Sequence, residues 1–173
     1  QEVSSKLTRP VKLLLFGTGS QEPLERQIFD VARQVSGVSM NRIIMEETSE
    51  PVMIGKPSLT VTDGNVGRIH YMAMPEGSQL LPFLDLISWY GTGEMPVDLG
   101  VRTHLDKLGL PAGIMVLMSS SCPHCPQTVR SALVQAVLSD LVTVTIVDAL
   151  MLSDLAQQFN CKSTPTTILN GEM

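Results

Sequence analysis

Residues 113–126 read GIMVLMSSSCPHCP, and the reading of this stretch decides the fold. An apolar run, Ile114 to Met118, breaks into three serines and then Cys122-Pro123-His124-Cys125. The residues after Pro126 have helical patterning. A strand, a turn carrying two cysteines three apart and a helix form a redox signature. Thiols at that spacing on the first turn of a helix can close a small disulfide ring. The backbone N–H groups and dipole of the helix N-terminus favour a thiolate on the first of them.

Working outward, a second β-α-β-α-β unit is expected around this turn: strand 113–118, helix 126–138, strand 142–149, helix 153–159, strand 166–169 and the turn Asn170-Gly171. Upstream, the order reads β-α-β-β-β-α. VKLLLF (11–16) is a strand. Leu24, Ile28, Val31, Ala32 and Val35 recur at helical spacing over 24–36. NRIIMEE (41–47), SLTVT (58–62) and RIHYMAM (68–74) read as strands, the last two joined by a hairpin at Asp63-Gly64-Asn65. Residues 78–90 close this half as a helix. GTGEMPVDLG (91–100) is the linker and 101–108 a short helix. The expected division is a cysteine-free unit over 1–91, a linker and short helix over 92–110, and a redox unit over 111–173.

The halves echo each other. LLLFGTGSQEPLERQIF parallels VLMSSSCPHCPQTVRSAL, and Lys56-Pro57-Ser58 parallels Thr164-Pro165-Thr166. Laying Phe16 on Met118 puts Ser20 where Cys122 stands and Pro23 where Cys125 stands. The first copy keeps the frame, lacks the dithiol and lacks a second helix.

Composition limits the function classes. The 173 residues are 43% hydrophobic and 17% charged, which suits a core-forming protein. The net charge of −5 comes without a basic patch, so neither nucleic acid nor an anionic membrane is an expected partner. The apolar run LLPFLDLISWY contains Asp85 and is too short to span a bilayer. Three cysteines are too few for the framework of a small secreted domain, and a reducing, cytoplasmic setting is expected. The chain starts at Gln1, as a fragment or a processed form would.

The chain resembles the double thioredoxin-fold proteins over roughly residues 11–173. It is similar to the prokaryotic, glutaredoxin-like protein disulfide oxidoreductases, and more so to the N-terminal domain of alkyl hydroperoxide reductase flavoprotein subunits. The motifs are C-x-x-C-P at 122–126, Ser163-Thr164-Pro165-Thr166 and Asn170-Gly171. The resemblance implies two tandem α/β thioredoxin-like units, only the second carrying the dithiol. It also implies a cis Pro165 that presents the Thr164 backbone to a substrate strand, with Pro57 as a cis relic. Electrons would arrive from a flavin reductase and leave to a peroxiredoxin-like disulfide protein. Three departures matter. The inner Pro123-His124 pair is similar to that of strongly oxidising periplasmic dithiol oxidases. Val116 and its neighbours offer no buried acid beneath the dithiol. The sequence stops at Met173, where the resemblance implies a further strand and a last helix. That would leave an open sheet edge, to be covered by further residues or by another chain, as in a dimer.

Cys122 is the expected attacking thiolate and Cys125 the resolving thiol. His124 lends positive charge and, with Pro123, tunes the thiolate. Structural zinc needs four ligands, commonly two pairs, and no second pair exists. No bound cofactor or metal is expected beyond the redox-active Cys122–Cys125 disulfide. Cys161 reads as a small core residue, His70 and His104 as functionally silent, and Trp89 with Tyr90 as packing between the units. Gly17-Thr18-Gly19 invites a dinucleotide reading, but Glu22 stands where that fingerprint needs a third glycine. Two rival functions are a protein disulfide oxidase or isomerase, and a docking module in which the dithiol is secondary.

Overall fold

A computed structural model of the chain describes residues 5–20, 22–64, 67–95 and 99–172. It contains one seven-stranded sheet. In chain order the elements are β1 (Val11–Phe16), α1 (Pro23–Gly37), β2 (Ile43–Glu47), β3 (Ser58–Thr62), β4 (Ile69–Met72), a short 3-10 turn (Gly77–Gln79) and α2 (Leu80–Thr92). Then follow α3 (Leu99–Leu105), β5 (Ala112–Met118), α4 (Cys125–Leu138), β6 (Val142–Asp148), α5 (Ser153–Gln158) and β7 (Thr166–Leu169). The strand order is β2-β1-β3-β4-β6-β5-β7.

The duplication is written in that order. β1 pairs parallel with β2 and antiparallel with β3. β5 likewise pairs parallel with β6 and antiparallel with β7. β2-β1-β3 is thus repeated as β6-β5-β7. A parallel β4–β6 pairing, Ile69 with Val144 through Met72 with Val147, joins the copies. The copies differ between their second and third strands. Unit two places α5 there, whereas unit one has only the loop 48–57.

Each element follows from its pattern. Val11, Leu13 and Leu15 alternate along β1 and are fully buried, as a strand with one face on a core requires. Leu24, Ile28, Val31 and Ala32 form the buried stripe of α1. Pro23 stands in the first turn of that helix, where its missing N–H is not needed. Gly93 ends α2 at φ 75°, a left-handed position that suits glycine. Asn170 and Gly171 take φ 51° and 85°, and this turn sets one antiparallel bridge, Leu169 with Glu172. Asn65 of the expected hairpin turn lies outside the described residues, but β3 and β4 do pair as its arms.

Side chains lock the two units together. The Arg130 guanidinium of α4 lies 5.3 Å from the Trp89 ring centroid, and its Nε donates to Asp85 at 2.8 Å. Trp89 is buried, so the expected packing of this residue between the units is what the structure shows. Tyr90 lines a neighbouring cleft with Val137 and Leu138, and burial pushes its phenol up to about 12. Arg68 Nη1 donates to the carbonyls of Ala136 and Ser139 at 3.0 and 2.7 Å, while Nη2 pairs with Asp140. A cation from unit one therefore caps the C-terminal end of α4, where carbonyls lack helical partners.

Phe83 is fully buried and meets Tyr71 edge-to-face, with centroids 5.3 Å apart. Phe83→Ala should destabilise the protein by about 3–5 kcal/mol, measured by urea unfolding of the full chain.

Candidate active site

The dithiol lies where β5 ends and α4 begins. The Cys122 N–H donates to the Ser119 carbonyl at 3.2 Å, a tight turn after Met118. α4 starts at Cys125 itself, with His124 as its N-cap and proline in the first turn. The sequence reading put Cys122 at the helix start; the structure puts it three residues earlier. The favourable field still reaches it. The Cys125 N–H, one of the donors a helix leaves free at its N-terminus, points at Cys122 Sγ from 3.2 Å.

The cysteines differ in access for a geometric reason. Cys125, Val129, Ala132, Leu133 and Ala136 make up the buried stripe of α4, so the second cysteine faces the core with no exposed surface. Cys122 precedes the helix and keeps 7% of its surface in solvent. The two form a disulfide, their Cα atoms 5.5 Å apart.

The 164–165 loop closes the site from the other side. Thr164–Pro165 is a cis peptide bond, and Lys56–Pro57 is trans, so the first unit carries no cis relic. The Thr164 carbonyl lies 3.4 Å from Cys122 Sγ. In the reduced protein the Cys122 thiol can donate to that oxygen. The same oxygen opposes a thiolate, against the favourable Cys125 N–H. Ser119 Oγ sits 3.5 Å from Thr164 Oγ1, tying the two loops.

Pro123 and His124 are exposed, and His124 makes no capping hydrogen bond. Val116 is fully buried and apolar, as the sequence implied. The sequence reading missed Asp148, buried at the end of β6 opposite Met118. Its Oδ1 accepts the N–H groups of Leu150 and Met151 at 2.8 and 3.0 Å, so it shapes the turn into α5. An acid closing an apolar strand just before ALML was the available signal. Cys161 is half-buried, and its thiol contacts the Ser163 carbonyl at 3.3 Å. His104 donates from Nδ1 to the Gly100 carbonyl at 2.7 Å. Among the described residues, no group of three or more His, Cys, Asp or Glu is placed to hold a metal ion.

The matching loop of unit one is filled by a carboxylate. Glu25 Oε2 accepts the Thr18 hydroxyl at 2.6 Å and the Thr18 N–H at 2.9 Å, and Oε1 accepts the Gly19 N–H at 3.2 Å. The amides of the Gly-Thr-Gly segment thus already hold an anion belonging to the chain. This removes the donors a pyrophosphate would need and, with Glu22, excludes the dinucleotide reading.

Residues 112–173 match the family described as thioredoxin domain. The whole chain superposes on the alkylhydroperoxide reductase protein AhpF of Enterococcus faecalis with a TM-score of 0.85 at 21% identity, covering 100% of this chain and 88% of that one. It superposes on a protein disulfide oxidoreductase of Aeropyrum pernix with a TM-score of 0.78 at 17% identity, covering 99% and 81%. The fold is thioredoxin-like, built from two tandem units. No curated protein sequence matches the chain. A thioredoxin-like fold with a Cys-x-x-Cys pair at disulfide distance supports thiol–disulfide oxidoreduction. No helix among the described residues is long and apolar enough to cross a membrane.

Two outcomes follow from this geometry. In the reduced, folded protein, iodoacetamide should modify Cys122 well before Cys125, read by peptide mass spectrometry. Separately, the bonds from Thr18 and Gly19, led by the Thr18 hydroxyl, hold Glu25 below its ordinary value of 4.5 despite partial desolvation. A lowered folded-state value contributes stability that is present above 4.5 and lost as pH falls through the folded value. Glu25→Gln should therefore lower the melting temperature at neutral pH, and the difference should shrink on acidification below 4.5.

Proposed function

We propose that the chain is a thiol–disulfide oxidoreductase that relays electrons from a flavoprotein reductase to a peroxiredoxin-like disulfide protein. The observation that carries this reading is the setting of Cys122 Sγ, between the Cys125 N–H and the Thr164 carbonyl at 3.2 and 3.4 Å. A nucleophilic thiol needs its thiolate stabilised and its sulfur accessible; the Cys125 N–H serves the first need at Cys122, and Cys122 keeps the 7% exposure that Cys125 lacks.

In the reduced chain the Cys122 thiolate attacks a partner disulfide. A Cys122–partner S–S bond forms, and the partner's other sulfur leaves as a thiolate that takes up a proton. Cys125 then loses its proton and attacks Cys122 Sγ, releasing the second partner thiol. The partner disulfide gains two electrons and the chain is left as the Cys122–Cys125 disulfide, which the flavoprotein reduces again. No bound cofactor takes part in these steps. The flavin belongs to the donor, and the dithiol is the carrier. Pro165 shapes the surface on which a partner strand would lie beside Cys122, and His124 stands exposed at the solvent side. A reducing, cytoplasmic compartment suits this direction of flow.

A second reading, a protein disulfide oxidase or isomerase, draws on the Pro123-His124 pair. Strong oxidants need an unusually stabilised thiolate. Here the sulfur has one N–H donor and faces a carbonyl, and His124 caps nothing. This arrangement favours the relay. In the third reading, the cysteine-free unit docks a partner and the dithiol is secondary.

Cys122→Ser should abolish thiol–disulfide exchange with a small disulfide substrate. Cys125→Ser should retain attack and accumulate a mixed disulfide through Cys122, visible as a mass adduct. Exchange at the native rate in Cys122→Ser would refute the proposal.

A further inference from the structure

One row of residues crosses one face of the sheet. In register it runs Leu14, Thr60, His70, Thr145, Met115, Ile168. In unit two Phe159, which follows α5, stands beside Met115, Thr145 and Ile168 on this face. In unit one the corresponding helix is absent, and only the loop 48–57 lies over the sheet. The result is a cleft of about 570 Å³ at the join between the units, with His70 on its floor. That volume falls in the range of small-molecule sites, roughly 300–1,000 Å³.

The chemistry of the floor is specific. His70 Nδ1 and Thr60 Oγ1 are hydrogen-bonded at 2.8 Å, which leaves Nε2 without a partner among the described residues. Burial lowers the His70 value to about 4, so the ring is neutral near pH 7 and offers no positive charge to an anion. Thr143 and Thr145 line the same cleft from β6, and neither hydroxyl has a partner among the described residues. The exposed carboxylate of Glu50 stands at the rim. The next acid along the row, Glu46, is already paired with Lys12 at 2.9 Å. Leu14, Pro51 and Val52 supply apolar walls. A neutral ring nitrogen, two hydroxyl oxygens and a carboxylate form a set of acceptors beside a hydrophobic surface. An ammonium group carries three donors and a positive charge, whereas a carboxylate ligand would meet Glu50 and no cation.

We propose that this cleft binds a small organic amine, its ammonium seated among His70 Nε2, Thr143, Thr145 and Glu50, and its apolar body against Leu14 and Val52. The site lies in the sheet face between the units and uses none of the redox residues. It gives the join between the two copies a binding role. Binding an ammonium requires the His70 tautomer whose Nδ1–H donates to Thr60, so that Nε2 accepts.

The test is NMR of the full chain, with imidazole 15N and threonine methyl resonances read during titration with 2-phenylethylamine. 2-Phenylethanol and 3-phenylpropionate serve as the neutral and anionic controls. The amine should shift His70, Thr143 and Thr145 saturably at millimolar concentration, with the 15N shifts reporting the Nδ1–H tautomer. Thr145→Val keeps the side-chain shape and should weaken binding about tenfold, the effect of one lost hydrogen bond to a charged group. His70→Leu should abolish binding. Both variants should retain exchange at Cys122, which separates this proposal from the redox one. Unshifted His70, equal binding of the alcohol or the acid, or unchanged affinity in Thr145→Val would overturn it.

Discussion

The parallel pairing of β4 with β6 makes one sheet out of two copies, and everything else depends on that seam. It brings α2 of the first copy against α4 of the second, so that Trp89 and Asp85 meet Arg130. It carries Arg68, just before β4, to the C-terminal end of the dithiol helix. It also sets His70 opposite Thr145, so that the sheet face over the join belongs to both copies. The cysteine-free unit is thereby a scaffold that holds α4 along its length.

On that scaffold the dithiol gains its asymmetry. The stripe that buries Val129, Leu133 and Ala136 also buries Cys125. The turn before the helix leaves Cys122 slightly exposed, within reach of a helix N–H. One thiol is presented and the other is kept for the second step. The first copy has the same strand, turn and helix, but its turn is closed by Glu25. One frame thus serves as a redox site in one copy and as a self-capped loop in the other.

Local features were legible in the sequence. The alternation in β1, the helical stripe of α1, the Cys-x-x-Cys turn and the offsets from Phe16 to Ser20 and Pro23 all depend on neighbours a few residues away. Features made by distant contacts were not. Nothing local marks Arg68 as the cap of a helix that ends at residue 138, or Glu25 as the anion of the Gly-Thr-Gly loop. His70 reads as an isolated histidine until the register aligns it with Thr60 and Thr145. Cys122 falls before α4 because the turn set by Ser119 and Cys122 precedes the helix.

The direction of electron flow is where the sequence and the geometry pull apart. Pro123-His124 is similar to the pair found in strong oxidants, while the Cys122 sulfur has one N–H donor opposed by the Thr164 carbonyl. Under the proposed relay, a thiolate with one donor opposed by a carbonyl is only modestly stabilised, and the dithiol acts as a reductant. The reduction potential of the Cys122–Cys125 couple, measured by equilibration with glutathione, tests this most directly. The account predicts a value near roughly −270 mV, as for thioredoxin, and one near roughly −120 mV, as for the strongest dithiol oxidants, would contradict it.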